Sequence, residues 1–402
     1  ENNAHPSMHV AIVTTSSPLS PGSTSGIFVN RLVRQLPATI RKTVITPCPD
    51  HAATACNEQD IRIQCFRYAP TTWQRLAHRP GGIPAAFHNS RWLLLLLPGM
   101  LLAMLIACIR TGRKSDLIHA NWSLNGFIAG IAGKLTATPV MTTLRGSDVE
   151  RLEQSRLQRL VLYACLRLNH RIVTVSEAIR DDVCQRYPRF RARITSIPNG
   201  VGNDFLNIPL DRPRETDSFR ITAIGNLSAN KRIDTIIRAA SRSACSSMLR
   251  LNIVGSGPEL DSLRACAMDA AANGVEVEFS GSIAPDGIPA ILAATDVFVL
   301  ASRSEGRPNV VLEAMAAGLP VLAADIQGVR ELIRHEETGL LFASGDEHAL
   351  AAQLDRLLND TTLRQRLGRA ARAFIHDNAL TWEQCAASYT ALYHECTRQQ
   401  IP

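Results

Sequence analysis

Residues 296–321 read Asp296-Val-Phe-Val-Leu-Ala-Ser-Arg-Ser-Glu305-Gly-Arg-Pro-Asn-Val-Val-Leu-Glu313-Ala-Met-Ala-Ala-Gly318-Leu-Pro320-Val. The apolar, β-branched run at 297–300 predicts a buried strand. Pro308 fits the first turn of a helix, because the N–H group that proline lacks would have no partner there within the helix. A strand, a polar loop and a helix in this order predict one unit of a parallel α/β sheet.

The same alternation of short strands and helices is predicted twice along the chain. Predicted strands of the first half are residues 9–14, 43–46, 62–67, 117–120, 140–144, 171–175 and 194–197. Predicted strands of the second half are residues 220–225, 249–254, 275–280, 297–300, 321–323 and 340–342. A turn at 198–200 and a polar stretch at 207–218 separate the two sets. The sequence therefore predicts two doubly wound α/β domains, with a ligand in the cleft between their strand ends.

Composition agrees with this division. A chain of 402 residues exceeds what one hydrophobic core usually supports, and 46% hydrophobic with 20% charged residues is ordinary for globular proteins. The ten cysteines include no C-x-x-C pair and no histidine-flanked metal spacing. Such cysteines predict scattered buried thiols in a reducing compartment. We therefore expect a cytoplasmic protein.

The net charge of +7 is divided unevenly between the halves. Residues 1–200 carry 24 Lys and Arg against 11 Asp and Glu, whereas residues 201–402 carry 19 against 25. A basic half suits an anionic membrane, a phosphorylated acceptor or nucleic acid, and a merely solvated basic face is the alternative. Nucleic acid is not expected, because no zinc spacing, RNP-like motif or basic-aromatic repeat occurs. We expect peripheral contact with anionic lipid on the inner face of the cell membrane.

One segment has the composition of a membrane helix. Residues 92–109 are eighteen positions without a charge, bracketed by Arg91 and Arg110. A single span is not expected, because it would separate two strands that belong to one sheet. Two alternatives stay open: a buried helix broken or kinked near Pro98-Gly99, and a helix that lies in the cytoplasmic leaflet.

A glycine-rich turn follows the second predicted strand of the C-terminal half, where Gly255-Ser256-Gly257-Pro258 comes directly after residues 249–254. Glycines let the backbone approach a ligand closely, and a helix that starts at Pro258 has an N-terminus that favours anions. A tight turn without a ligand explains the same residues equally well.

Two carboxylates flank the predicted helix that begins near Pro308. The N–H groups of Asn309 and Val310 would point at a phosphate. Glu305 in the loop and Glu313 one turn into the helix would accept hydrogen bonds from sugar hydroxyl groups. The alternative is that both are ordinary acidic residues stabilised by the helix dipole.

The block at 296–321 resembles the nucleotide-sugar glycosyltransferases of family 4, whose signature is Glu-x7-Glu. The resemblance extends to Gly328-Val-Arg-Glu331-Leu-Ile, Thr338-Gly339-Leu-Leu, residues 254–258, Ile197-Pro-Asn-Gly200-Val, Ser25-Gly26-Ile-Phe-Val, Asp116-Leu-Ile-His119-Ala and Thr381-Trp382-Glu. It implies the GT-B fold, in which two Rossmann-like domains face each other across a cleft. Residues 1–200 are then expected to bind the acceptor and residues 201–380 the nucleotide sugar, with a terminal helix at 381–402 that packs back on the first domain.

The resemblance implies donor contacts in several loops of the second half. It assigns the donor sugar to Glu305, the ribose to Glu313, the distal phosphate to the backbone of Pro308, Asn309 and Val310, and the base to Gly255, Ser282 and Ile283. Lys231 matches the lysine that neutralises the diphosphate and so stabilises the leaving group. A solvated lysine at a helix start is the alternative for this residue.

Two residues of the first half match family positions beside the ligand. Gly26 fits the glycine loop that lies near the diphosphate and sugar, with a plain turn at a helix start as the alternative. His119 is at the C-terminal end of its predicted strand, where ligand contacts are expected. A packed, hydrogen-bonded histidine is the alternative.

The chain departs from the family pattern at two positions. Gly225-Asn226 replaces the common Gly-Arg, so Asn226 and Arg232 are the candidates beside Lys231 for donor contact. Arg145 stands where the family often has a histidine, and it can donate to a sugar hydroxyl or phosphate but is not a practical base. Asp148 is a candidate for acceptor binding or for deprotonation of the acceptor, against an N-cap for a helix beginning near Val149.

The resemblance implies transfer of a hexose-type sugar to a glycan or lipid-linked acceptor with retention of configuration, as in bacterial surface-polysaccharide assembly. No cofactor and no metal are expected, because the sequence contains no D-x-D triplet and Lys231 can serve the diphosphate. A nucleotide-sugar epimerase, a disaccharide phosphorylase and an inactive donor-binding partner subunit remain as alternatives.

Overall fold

The computed structural model of the protein describes residues 8–16, 26–48, 61–74, 76–77, 91–149, 152, 155–210 and 218–398. The chain divides into two compact units. The first unit contains Glu1–Pro198 together with Trp382–Pro402, and the second contains Asn199–Thr381. Ser25 of the glycine loop and residues 211–217 of the predicted connection lie outside the described residues.

The first unit is built on a seven-stranded parallel sheet with the order β3-β2-β1-β4-β5-β6-β7. The strands are β1 (Met8–Val13), β2 (Ile40–Pro47), β3 (Ile61–Phe66), β4 (Leu117–Asn121), β5 (Val140–Leu144), β6 (Arg171–Thr174) and β7 (Ile194–Ser196). The strand order reverses between β1 and β4, where Val10 pairs with Leu117 and Val13 with Ala120. Loops that leave neighbouring strands diverge at such a point, so it is where this kind of sheet forms ligand sites.

Helices cover the sheet of the first unit. They are α1 (Ile27–Gln35), α2 (Leu97–Gly112), α3 (Ser123–Thr136), α4 (Arg156–Leu168) and α5 (Glu177–Arg186). Serines begin α4 and α5, because the hydroxyl groups of Ser155 and Ser176 accept hydrogen bonds from backbone N–H groups three residues on. Glycine at 126 lets α3 pack closely on α4, since an added Cβ would lie 2.6 Å from Sγ of Cys165.

The second unit has a six-stranded parallel sheet with the order β10-β9-β8-β11-β12-β13. Its strands are β8 (Phe219–Ile224), β9 (Leu249–Val254), β10 (Glu276–Gly281), β11 (Val297–Leu300), β12 (Val321–Ala324) and β13 (Leu340–Phe342). Its helices are α6 (Asn203–Leu206), α7 (Ile233–Arg242), α8 (Leu260–Ala271), α9 (Ile288–Ala293), α10 (Asn309–Ala316), α11 (Gln327–Arg330), α12 (Glu347–Asn359) and α13 (Thr361–Asp377). Two hydrophobic clusters fill this unit, one with Ile221, Leu251 and Leu354, the other with Phe298, Val311 and Leu332.

The last helix, α14 (Trp382–Arg398), belongs to the first unit and packs against α1. Trp382, Tyr389 and Tyr393 are buried there in the same cluster as Val10 and Leu117. Large aromatic side chains contribute much of the apolar area in such a contact. Helix α14 therefore forms part of the hydrophobic core of the first unit, together with β1 and β4.

The predicted fold class is confirmed, because two parallel α/β sheets of Rossmann type are present. Most predicted strands agree with the structure within one or two residues, and the largest difference is β2, which extends over Ile40–Pro47 rather than 43–46. The helix expected near Val149 was wrong, since α4 begins at Arg156.

The apolar segment 92–109 forms a short 3-10 helix, Arg91–Leu96, followed directly by α2. Pro98 lies in the first turn of α2, where it costs no hydrogen bond, so the break precedes this proline and α2 itself is not interrupted. Met100, Met104 and Cys108 of α2 are buried, while Leu102 on the opposite side is exposed. Among the described residues, no helix combines the length and the apolar character that crossing a bilayer requires.

Candidate functional site

Three turns at the carboxyl edge of the second unit's sheet are joined by backbone hydrogen bonds. The N–H of Gly225 after β8 donates to Val254 (2.9 Å), and the N–H of Gly255 after β9 donates to Gly281 (2.8 Å). Gly255 has φ of +144°, and an added Cβ would lie 1.8 Å from the carbonyl oxygen of Gly225. Glycine is therefore required at 255 both by backbone conformation and by close packing.

The same edge presents small polar groups to solvent. The hydroxyl groups of Ser256 and Ser282 are 2.7 Å apart and exposed. Ile283, the next residue, is half-buried against the cluster that contains Val254. Backbone turns with two exposed hydroxyl groups can hydrogen-bond the polar edge of a heterocycle.

An ion pair connects two further loops of this edge. Lys231 ends a 3-10 turn after β8, and its Nζ lies 2.5 Å from Oε1 of Glu305 in the loop after β11. The exposed fractions of the two side chains are 20% and 14%, so both groups are partly shielded but still reachable from solvent. The stem of Lys231 lies over Gly225, where an added Cβ would be 3.4 Å from Cε.

The loop that carries Glu305 is held from two sides. The N–H of Arg303 donates to the carbonyl of Asn230 (2.8 Å), and the side-chain amide of Asn230 donates to the carbonyl of Ser304 (2.9 Å). Gly328 of α11 lies so close that an added Cβ would be 2.1 Å from the carbonyl oxygen of Glu305. Glu305 is therefore presented by a loop whose backbone has little freedom to move.

Helix α10 begins directly after this loop. Pro308 is its N-cap, and the carbonyl of Pro308 accepts from Val311 (3.1 Å). The N–H groups of a first turn have no acceptor within their own helix, so they favour an anion. The side chain of Asn309 is held by Asn199, whose Nδ2 donates to its Oδ1 (3.0 Å). Glu313 lies one turn further on and is buried.

The sequence did not predict the support of this loop. Arg307, between Glu305 and Pro308, is 5% exposed and pairs with Glu331 at 3.2 Å. Glu331 lies in the motif Gly328-Val-Arg-Glu331-Leu-Ile, and this motif is the only feature of the sequence that pointed to a partner for Arg307. Gly328 begins the same motif, whereas Asn230 carried no signal, because its contacts are made across separate loops.

The two candidates beside Lys231 have different surroundings. Oδ1 of Asn226 is buried and accepts no hydrogen bond from the described residues. Arg232 adopts a left-handed conformation with φ of +48° at the start of α7. Its guanidinium lies against Gly345, where an added Cβ would be 2.0 Å from Nη1. The guanidinium of Arg232 is thus directed to the turn after β13.

The first unit has its own cluster at the carboxyl ends of β4 and β5. Arg145 donates through Nε (3.2 Å) and Nη2 (2.7 Å) to Oδ1 of Asn121, and its guanidinium lies 4.5 Å from the ring centroid of Phe28. Burial lowers the pKa of the Arg145 guanidinium. Gly26, with φ of +66°, lies directly before α1. Phe28 is in the first turn of α1, and the guanidinium of Arg145 covers one face of its ring.

Asp148 is buried beside Arg145 and caps a helix other than the expected one. Its Oδ1 accepts from the N–H of Ser123 (2.6 Å) at the start of α3, and its Oδ2 accepts from the N–H of Arg145 (2.7 Å). Burial raises the pKa of this carboxyl group. Because both oxygens already accept backbone hydrogen bonds, Asp148 connects α3 to the loop after β5.

His119 occupies the packed arrangement that the sequence left open as an alternative to ligand contact. It is fully buried, with Nδ1 2.7 Å from the hydroxyl of Tyr393 and Nε2 2.8 Å from Oγ1 of Thr143. Its ring stacks on Tyr389 at 5.2 Å. Desolvation by burial lowers the pKa of His119 to about 3. The histidine therefore connects the sheet to α14 as a neutral ring.

Acid is expected to destabilise the first unit through His119. The unfolded chain binds a proton below a pKa of 6.5, whereas the folded ring stays neutral down to a pKa of about 3. This histidine thus lowers the free energy of unfolding as pH falls from 6.5 toward 3 and has no such effect above 6.5. In urea unfolding, His119→Gln should make the dependence on pH shallower by up to about 1.4 kcal/mol per pH unit. Tyr393→Phe, which keeps the imidazole, should retain the steeper dependence, and equal slopes in both variants would contradict the assignment.

Two family models match complementary parts of the chain. Residues 25–205 match Glycosyltransferase Family 4, and residues 207–374 match Glycosyl transferases group 1. Their boundary lies close to the division between the two compact units.

Curated relatives and solved structures agree with these matches. The chain is 24% identical over 320 residues to N-acetyl-alpha-D-glucosaminyl L-malate synthase of Bacillus anthracis, which covers 74% of this chain and 79% of the relative. It is 31% identical over 193 residues to the lipopolysaccharide core biosynthesis glycosyltransferase LpsE of Rhizobium meliloti. This match covers 48% of this chain and 54% of the relative.

Two solved structures share the fold. Sucrose-phosphate synthase of Thermosynechococcus elongatus has a TM-score of 0.81 at 21% identity, with 98% of this chain and all of that chain covered. HepE of Anabaena in complex with UDP has a TM-score of 0.75 at 19% identity, with 96% of this chain and all of that chain covered. With both halves matched by glycosyltransferase families and the fold shared along nearly its whole length, the chain belongs to the glycosyltransferases of the GT-B type.

Proposed function

We propose that the protein transfers a hexose-type sugar from a nucleotide-diphosphate sugar to a glycan or lipid-linked acceptor, with retention of configuration. The observation that carries this proposal is the pairing of Lys231 with Glu305 at 2.5 Å beside the N-terminus of α10. A cation and a helix N-terminus suit a diphosphate, and a carboxylate suits the hydroxyl groups of a sugar.

Charge separation during transfer explains why these groups lie together. Breaking the bond between sugar and diphosphate places negative charge on the leaving diphosphate, which Lys231 and the N–H groups of Asn309 and Val310 would stabilise. The ammonium of Lys231 pairs with the carboxylate of Glu305. Donor binding would exchange this partner for the diphosphate and release the Glu305 carboxylate to bind the sugar.

Retention fits a site in which positioning and electrostatics do the catalytic work. The departing diphosphate would receive the acceptor's proton on the face from which it leaves, so no covalent sugar-enzyme intermediate is needed. Within the proposal, Glu313 binds the ribose, and no metal takes part because Lys231 and α10 carry the charge. The role of Gly26 beside the donor stays a prediction.

For the base we propose uracil. HepE, which shares the fold, has been solved with UDP, with UDP and glucose and with UDP-glucose. Gly255 and the exposed hydroxyl groups of Ser256 and Ser282 form the surface on which the base would lie. The similarity to LpsE supports an acceptor in cell-surface polysaccharide assembly, and Arg145 is the proposed contact for its polar groups.

The donor is tested by thermal unfolding of the full chain with UDP-, GDP- and ADP-sugars. A ligand that binds only the folded state at about 100 times its Kd adds about 2.7 kcal/mol to the free energy of unfolding. We expect UDP-sugars alone to raise Tm, and no increase in Lys231→Ala. Stereochemistry is then read by NMR of the anomeric proton in the product. An inverted product would overturn retention, and stabilisation by none of the donors would overturn donor binding.

A further inference from the structure

We infer that the outer face of α2, α3 and α4 is a docking surface for an anionic lipid bilayer. These three helices lie side by side on the first unit's sheet, since α2 packs against α3 and α3 against α4. We call them the helix layer. Its outer face differs from the rest of the described surface in two independent respects, exposed apolar side chains and charge.

Exposed large apolar side chains are concentrated on the helix layer. Of the ten such residues in the described part of the chain, six lie in these helices or in the turn before α2. They are Leu95, Leu102, Ile106, Leu135, Leu157 and Leu160. Leu157 and Leu160 are 72% and 66% exposed, although α4 has a fully buried side that contains Leu162 and Leu166. Single exposed leucines are common in proteins, but a majority gathered on three adjacent helices indicates a binding surface.

The exposed residues follow the helical repeat and so form continuous stripes. On α2 the exposed positions include Pro98, Leu102, Ile106 and Arg110, each four residues after the last. On α3, the half-buried Phe127 packs against the core below α2 and also against the core below α4. Helix α3 thus packs between α2 and α4, and the exposed apolar residues of those two helices belong to one layer.

The charge of the layer has one sign. None of the three helices contains Asp or Glu. The exposed basic residues within the helices are Arg110, Lys134, Arg156, Arg159 and Arg167, and the connection after α2 adds the exposed Arg113 and Lys114 together with one exposed acid, Asp116. An acid-free face that combines arginine with leucine matches the headgroup boundary of an anionic bilayer, where basic groups meet lipid phosphates and leucines enter the acyl boundary.

Stability of the fold does not account for this pattern. Basic residues near helix C-termini stabilise the helix dipole, which explains Arg110, Lys134 and Arg167. Arg156 and Arg159, however, lie at the N-terminus of α4, where the dipole disfavours a cation. Leu157 is exposed between them. These three residues are best explained by a partner that is both anionic and apolar.

The test is flotation of the full chain with phosphatidylcholine vesicles prepared with and without phosphatidylglycerol. We expect binding to the anionic vesicles only, weakened by salt. The double variant Leu157→Gln with Leu160→Gln should lower the partition coefficient at least about tenfold, because it removes the inserted apolar groups. Arg156→Gln with Arg159→Gln should lower it on anionic vesicles by a similar factor. The matched control is Met248→Gln with Met268→Gln, which replaces exposed apolar residues of the second unit and should leave binding unchanged.

Two outcomes would overturn the inference. One is binding that is equal for both vesicle types or unchanged in the α4 variants. The other is concentration-dependent dimerisation in sedimentation velocity that the leucine variant abolishes, together with absence of vesicle binding, since the face would then contact a second copy. Donor-induced stabilisation should persist in the α4 variants, which verifies that they are folded. It also separates failure of this inference from failure of the proposed donor site.

Discussion

Lys231→Ala is expected to lower kcat for sugar transfer by about 10²–10³, the usual cost of removing one group that stabilises developing negative charge. In the unaltered protein, Nζ of Lys231 lies 2.5 Å from Oε1 of Glu305. The two residues are 74 positions apart in the chain, so the folding of the second unit brings them together. The variant should also lose stabilisation by nucleoside diphosphate in thermal unfolding. Glu305→Ala should instead keep the stabilisation by the diphosphate alone and lose the added stabilisation by the sugar, because the carboxylate is proposed to contact only the sugar.

The matched control for this pair is Arg330→Ala. Arg330 forms an exposed ion pair with Asp325 in the same unit, at 2.6 Å, so the substitution removes a salt bridge of similar geometry outside the proposed site. Exposed pairs of this kind contribute little to stability. Arg330→Ala should retain transfer within about twofold of the unaltered protein. Equal loss of activity in Lys231→Ala and Arg330→Ala would contradict the assignment of Lys231 to the diphosphate.

Gly255→Ala is expected to have the largest effect on the second unit. The new Cβ would lie 1.8 Å from the carbonyl oxygen of Gly225, and the φ of +144° excludes side chains on conformational grounds as well. Because the clash is between two backbones, no side-chain rotation relieves it. We expect destabilisation of about 3 kcal/mol or more, seen as a lower unfolding temperature, together with loss of donor-induced stabilisation.

Gly281→Ala separates conformation from crowding. Gly281 also has positive φ, +68°, but an added Cβ meets no atom within 4 Å. The cost should be limited to the left-handed conformation, about 1 kcal/mol, and donor binding should persist. If Gly281→Ala destabilised the protein as much as Gly255→Ala, close packing against Gly225 would not be the reason for glycine at 255.

Particular residues show where prediction from the sequence succeeded. The strand, loop and helix at 296–321 were predicted because each has a local signal, the apolar run at 297–300 and the proline at 308. The position of the ligand-binding loops at the carboxyl edge of the second sheet followed from the predicted strands, because the loops after parallel strands lie at one edge. The partners Asn230 and Gly328 could not be predicted, since nothing in a local pattern indicates which loop packs against which.

His119 and Asp148 illustrate the limit of position along a strand or loop. His119 lies in β4 and Asp148 in the loop after β5, near the carboxyl edge of the sheet, so ligand contact was a sound hypothesis for each. Whether such a polar group turns to ligand or to core depends on what packs over it, and α14 arrives there from the end of the chain with Tyr389 and Tyr393. The burial of His119 depends on this helix, whereas Asp148 is held by the backbone N–H groups of Ser123 and Arg145.

The sequence by itself determined the class of the protein, two doubly wound α/β units with a Glu-x7-Glu block in the second, because alternating strand and helix signals are local. It also determined the basic charge of the first half. Only the tertiary structure decided that Lys231 pairs with Glu305, that His119 is buried by α14 and that exposed leucines and arginines share one helix layer. The physical reason is the same in all three: each depends on contacts or exposure created when distant segments pack, and packing is a property of the folded chain as a whole.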